Sequence, residues 1–231
     1  MLYKSVFFCL LTLQMTIVPL VAEPLRVGVT HFPPFYVVEP DGTVSGTLTN
    51  LIRNTLVDAD LPYVIESYPP KRLYENVNAG TTDLTIGIKI GPPGEEGPEL
   101  YSQLPVTSIE LRIYALKSTS LPNEIEQLLG RQVGLIRGFQ YGDRRALLSS
   151  PENVPPPLNL NTHKNALAML FSGRIDYLLD YKEPISSEIE PEQNDLIHYA
   201  TLQRLDMFFT ISPLTPDGEK LMEILESNYQ R

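Results

Sequence analysis

"NAGTTDLTIG" at residues 78–87 and "FSGRIDYLLD" at residues 171–180 decide the fold. Each runs from a helix end through a glycine, two residues and an aspartate into an apolar strand. A glycine just past a helix supplies the left-handed turn that ends it. Upstream, "LRVGV" (25–29) and "RQVGL" (131–135) resemble each other, and each precedes its copy of the unit. The spacings differ, so this is not a strict repeat. The plainer reading is that any two α/β units look alike. The other is two similar α/β halves in one chain with a cleft between them, and the paired echoes favour it.

Working outward, strands are predicted at 27–30, 63–68, 84–90, 109–116, 132–136, 175–181 and 206–212, where apolar and β-branched residues gather. Helical spacing predicts helices at 48–59, 71–79, 122–129, 141–149 and, after the Thr162 cap, up to Phe171. Thr215-Pro216-Asp217 is a strong start for a last helix. Strands alternating with helices imply an α/β class with mainly parallel sheets.

At 231 residues the chain holds one domain or two lobes, with enough length for an ordinary core. Its 42% hydrophobic and 20% charged content is that of a globular protein. The formal charge of −10 excludes nucleic acid as a partner, because phosphate binding needs a basic face. Residues 1–22, "MLYKSVFFCLLTLQMTIVPLVA", read as a secretory signal cut after Ala22; the other reading is a membrane anchor. Cys9 is the only cysteine and would leave with the signal, so the mature chain has no disulfide and no thiol nucleophile. His31, His163 and His198 show no metal-ligand spacing, and no metal or cofactor is implied.

"VGVTHFPPFYVVEPDGTVSG" at 27–46 leaves a strand, places an aromatic and two prolines at once, and runs through an Asp-Gly turn towards a helix. Such a stiff, apolar tip is poorly built for a plain connection and suits one wall of a cleft. In order, "LRVGVTHFPPF", "DGTVSGTLTNLI", "NAGTTDLTIG", "QVGLIRGFQYGD" and "FSGRIDYLLDY" resemble the periplasmic solute-binding proteins of family 3, the amino-acid receptors of ABC importers. The resemblance covers about 24–228. It implies a two-lobed periplasmic-binding-protein fold of type II, with mixed, mostly parallel sheets and hinge crossovers. Lobe 1 would span about 24–112 plus 208–231 and lobe 2 about 117–199, with hinges near Ile113–Leu116 and Gln203–Phe208. It also implies a periplasmic, monomeric, non-enzymatic receptor for a small-molecule ligand, working with an ABC permease or a membrane sensor.

The resemblance further implies the site. Phe32 falls where an aromatic stacks on the ligand. Gly138 permits close backbone approach, and the amides of Phe139, Gln140 and Tyr141 would face an anion from a helix N-terminus. Asp180 matches the carboxylate that pairs with a ligand's α-amino group. The arginine that usually holds the α-carboxylate is missing, and Glu95 and Glu96 stand in that region. Arg72 and Lys89 are the candidate replacements. Two other readings stand beside solute capture. One is a dehydratase-like enzyme on the same fold, with Asp180 and His31 as nearby acid–base groups. The other is a ligand-free interaction module using the acidic loop "GEEGPE".

Overall fold

The computed structural model describes residues 23–89, 97–142 and 144–229. The signal segment and Glu95 and Glu96 lie outside the described residues. The first half of the chain contains β1 (Leu25–Val29), β2 (Val37–Val38), β3 (Val44–Ser45), α1 (Thr47–Asp58), β4 (Tyr63–Ser67), α2 (Pro70–Asn78), β5 (Leu84–Ile88) and β6 (Leu100–Tyr101). β7 (Thr107–Leu116) leads into β8 (Val133–Ile136), α3 (Arg144–Leu148), β9 (Leu158–Leu160), α4 (His163–Phe171), β10 (Tyr177–Tyr181) and α5 (Lys182–Glu188). β11 (Ile197–Ile211) returns to the first half, where α6 (Gly218–Tyr229) closes the chain.

The two echoed segments adopt the same local structure, residue for residue. Gly80 (φ 68°) and Gly173 (φ 66°) both end their helices in the left-handed region. The Gly80 amide donates to Val77 and Thr81 to Asn76; the Gly173 amide donates to Leu170 and Arg174 to Met169. Both are the paired 5→2 and 6→1 closure that satisfies a helix's last carbonyls. The aspartate then reaches back to the strand upstream. The Asp83 carboxylate accepts the Arg26 amide at 2.9 Å, and Asp176 accepts the Gln132 amide at 3.0 Å. Gly28 and Gly134 complete the match: a Cβ on either would stand 2.5 or 2.6 Å from Leu73 or Ile175.

Asp83 is the more committed of the pair. It also takes the Arg26 guanidinium at 2.7 and 2.9 Å and the Thr215 hydroxyl at 3.2 Å, tying β1, β5 and the approach to α6 together. Burial pushes its carboxyl up, but the Arg26 hydrogen bonds outweigh burial and hold it below the usual range. A lowered native pKa stabilises the fold above the unfolded value of about 3.9, and that stability is lost as pH falls through the native value. Asp83→Ala is therefore expected to cost about 1.5–3 kcal/mol near neutral pH. In urea titrations the gap to wild type should close below about pH 4. A gap that persists unchanged in acid would remove the ion pair as its cause.

The halves join in one nine-stranded sheet of order β4-β1-β5-β11-β7-β10-β8-β9, with β6 paired to β11. β1 pairs in parallel with β4 and β5, and β8 with β10 and β9. The crossovers are antiparallel: β11 lies between β5 and β7, and β7 between β11 and β10. β7 and β11 run together from the Leu116–Ile197 pair to the Thr107–Met207 pair, with one break in register between Thr201 and Gln203. The segment predicted as a strand over 206–212 is thus the end of a 15-residue strand.

Three predicted helices change. The 122–129 segment forms only a 3-10 turn at Ile125–Leu128, where Glu124 and Gln127 cap each other and Leu129 returns to extended backbone. The 141–149 helix begins at Arg144, because Tyr141 and Gly142 both take positive φ (56° and 58°). The last helix begins at Gly218, after Asp217 at φ 51°. In each case backbone conformation at one end of the segment overrides side-chain spacing.

Candidate functional site

The segment after β1 is a locked wall. The Phe32 amide donates to the Tyr36 carbonyl at 2.8 Å and the Tyr36 amide returns the bond at 3.0 Å, with Pro33 and Pro34 inside the turn. The carbonyls of Pro34 and Phe35 accept the Thr47 and Leu48 amides at 3.1 and 3.2 Å. Those are first-turn donors of α1, which have no partner inside the helix. Gly46 makes the contact possible. It sits at φ 117°, and a Cβ there would be 2.3 Å from the Phe35 oxygen. The wall therefore caps α1, and the α1 terminus is not open to a guest.

Phe32 projects from this wall into the second half of the molecule. Its ring centroid lies 5.4 Å from Tyr181, 5.9 Å from Phe139, 6.2 Å from His163 and 6.1 Å from its own neighbour Phe35. The second-half rings also meet one another. Phe139 lies 5.9 Å from Tyr181 and 6.1 Å from His163, and Tyr141 lies 5.5 Å from Tyr181. The edge-on geometry of the Phe32 contacts with Phe139, Tyr181 and His163 is the favourable one for ring quadrupoles. Phe32 is only 4% exposed, so the junction is closed around it. Tyr181, in turn, is the last residue of β10, the carboxyl end of a strand, where α/β sheets bind ligands.

Behind the rings sits one acid. Asp180 is 0% exposed; its Oδ2 lies 2.7 Å from His163 Nδ1, and its Oδ1 accepts the Tyr181 amide at 2.8 Å. The Tyr141 hydroxyl accepts the Ile136 amide at 2.8 Å. Burial first, then Asp180 and Tyr181, push the Tyr141 phenol far above its usual range. Tyr181 is raised by burial, then by Tyr74 of α2 and Asp180. Burial alone pushes Tyr74 up to about 12. His31 receives the Val38 amide on Nδ1 at 3.2 Å, and burial, then the nearby His163, lower its pKa. The phenols of Tyr74, Tyr141 and Tyr181 and the His31 imidazole are thereby held in their neutral forms at pH 7.

The structure gathers Phe32, Gly138, Phe139, Tyr141 and Asp180 from the expected site. Gly138 (φ 89°) abuts the start of α2: a Cβ would stand 3.3 Å from the Lys71 nitrogen. The Phe139 amide is not presented by a helix; it turns back to the Ile136 carbonyl at 3.4 Å. Gln140 is exposed. Arg72 stands apart, its side chain 66% exposed and 3.6 Å from Glu75 one turn on. Lys89 lies over the rings of Tyr101 and Phe208, at 5.3 and 4.8 Å. Asp180 reaches His163 rather than open solvent. His163 and Tyr181 were not singled out by sequence reasoning, although one follows the Thr162 cap and the other follows Asp180.

No family model and no curated protein matches the sequence. Solved structures do match the fold. A histidine kinase sensor domain with similarity to periplasmic binding proteins is 18% identical, with 90% of this chain and 89% of that one covered at a TM-score of 0.72. An ancestral arginine-binding protein bound to arginine is 18% identical, covering 90% and 91%, with a TM-score of 0.71. An ABC uptake transporter substrate-binding protein from Streptococcus pneumoniae with bound histidine is 18% identical, covering 90% and 85%, also at 0.71. The fold is therefore the two-lobed one of periplasmic binding proteins. No helix among the described residues is long and apolar enough to cross a membrane.

Proposed function

We propose that this chain is an exported, periplasmic member of the family 3 solute-binding proteins. It captures a small polar solute, an amino acid or related carboxylate, between two lobes. Lobe 1 comprises about 24–112 plus 208–231 and lobe 2 about 117–199. The β7–β11 ribbon is the hinge, and the break in register at Thr201–Gln203 is where it bends most easily. The protein acts by binding, without catalysis, and hands its solute to an ABC permease or reports it to a membrane sensor. The observation that supports this most is the Phe32 contact: a ring from a rigid wall of one half seated among Phe139, His163 and Tyr181 of the other. The likeness to binding and sensor proteins supports it further.

Thermal unfolding with a panel of amino acids, amines and organic acids tests this. A solute at a hundred times its Kd stabilises by about 2.7 kcal/mol. For a chain of this size that is a rise in Tm of roughly 5–10 °C. If no member of the panel moves the Tm, solute capture is refuted.

A further inference from the structure

We propose a second binding site, between α5 and the β7–β11 ribbon, for a small compound with an apolar body and an oxygen acceptor at one end. It goes beyond the solute-binding reading and does not rest on it.

Arg112 and Tyr114 of β7 stand opposite Thr201 and Tyr199 of β11, so all four lie on one face of the ribbon. α5 packs against β7, and a cavity of about 290 Å³ remains between the helix and this face. Ile185 and Ile189 line it from the α5 side and Ile197 from the start of β11. None of the rings of the interlobe junction lines it, nor does Asp180. An apolar cavity of about 150 Å³ takes benzene, so this one has room for a substituted ring.

The polar side of the cavity decides the guest. Arg112 is 8% exposed, and its guanidinium carbon lies 3.7 Å from the centre of the Tyr199 ring, which fixes its plane. Two of its five N–H donors, on Nε and on one Nη, go to the same Glu110 oxygen. The other three have no acceptor among the described residues. Tyr114 is 2% exposed, and its hydroxyl has no hydrogen-bond partner among the described residues. Burial pushes the phenol well above its usual range and the neighbouring Arg112 offsets this only in part, so the hydroxyl keeps its proton at pH 7 and can donate. An enclosed hydroxyl without a partner is uncommon in a folded protein. A guest oxygen seated beside Arg112 and Tyr114 would supply the acceptor that both lack.

Charge favours an acceptor too. No acidic side chain is among the residues lining the cavity, and Arg112 is positive. An ammonium group would leave water to sit beside a like charge, which is unfavourable. A carboxylate and an uncharged carbonyl share the required oxygen.

Titration of the ¹⁵N-labelled protein with benzamide, benzoate and benzylamine, followed by NMR, tests the site. Benzamide, benzoate or both should bind and shift the amides of Tyr114, Ile185 and Tyr199, whereas benzylamine should leave them in place. Tyr114→Phe should weaken the bound compound about fivefold. It should not lower the Tm of the free protein, because the hydroxyl it removes has no partner there. Shifts centred instead on Phe32, Phe139 and Tyr181 would put the probe in the interlobe junction, overturning the inference and leaving solute capture in place. No shift with either oxygen compound, benzylamine bound at the same amides, or unchanged affinity in Tyr114→Phe overturns it as well. A fall in the Tm of free Tyr114→Phe would show that the hydroxyl is already satisfied within the fold, and the site would lose its reason for an acceptor.

Discussion

Asp180→Ala lowers the stability of the folded protein by about 3–5 kcal/mol, measured by urea unfolding of the free protein. The reason is burial. The carboxylate is wholly enclosed, and its two oxygens serve His163 Nδ1 at 2.7 Å and the Tyr181 amide at 2.8 Å. Removing it leaves both donors enclosed without a partner, and an unsatisfied buried polar group costs far more than the net worth of a made bond. Asp180→Asn keeps the shape and an acceptor, so it should recover part of the loss. This separates two roles for one residue. A carboxylate that faces the guest directly would leave the free protein's stability almost unchanged on truncation and show its effect only in affinity. A carboxylate that holds His163 in place shows its effect without any guest. Should Asp180→Ala unfold at the wild-type urea concentration, Asp180 is a direct ligand contact and does not hold His163 in place.

Phe32→Ala is the second large effect, at about 3–5 kcal/mol for truncating a buried phenylalanine. Phe32 meets Phe35, Phe139, His163 and Tyr181, and three of those four belong to the other half. The loss thus reports whether the halves stay closed without a guest. If the junction is open in solution, Phe32 is already in water and its removal costs under about 1 kcal/mol. Repeating the measurement with a saturating solute then restores the larger value, because only the closed state buries the ring. A small loss under both conditions would place Phe32 outside the junction.

Much of the architecture was legible in local chemistry. The Gly–x–x–Asp units at 80–83 and 173–176 carry their own helix ends, and each aspartate finds the strand upstream of it. Those interactions span single units of structure, so composition and order reveal them. The boundaries that failed are those where one backbone angle decides. Tyr141 at φ 56° delays a helix that its side-chain pattern favours. Arg72 was a reasonable cation for the cleft, but on α2 it lies within reach of Glu75 one turn away and turns to it in water.

The sequence by itself determined the alternation of strands and helices, the paired units and the stiff wall that ends in Phe32. Each depends on neighbours a few residues apart. Only the tertiary structure decided that Phe32 meets Tyr181, that Asp180 is spent on His163, and that Arg72 and Lys89 stay clear of the junction. Those outcomes depend on which side chains share a buried volume after the β7–β11 ribbon brings the halves together, and distance along the chain carries no record of that.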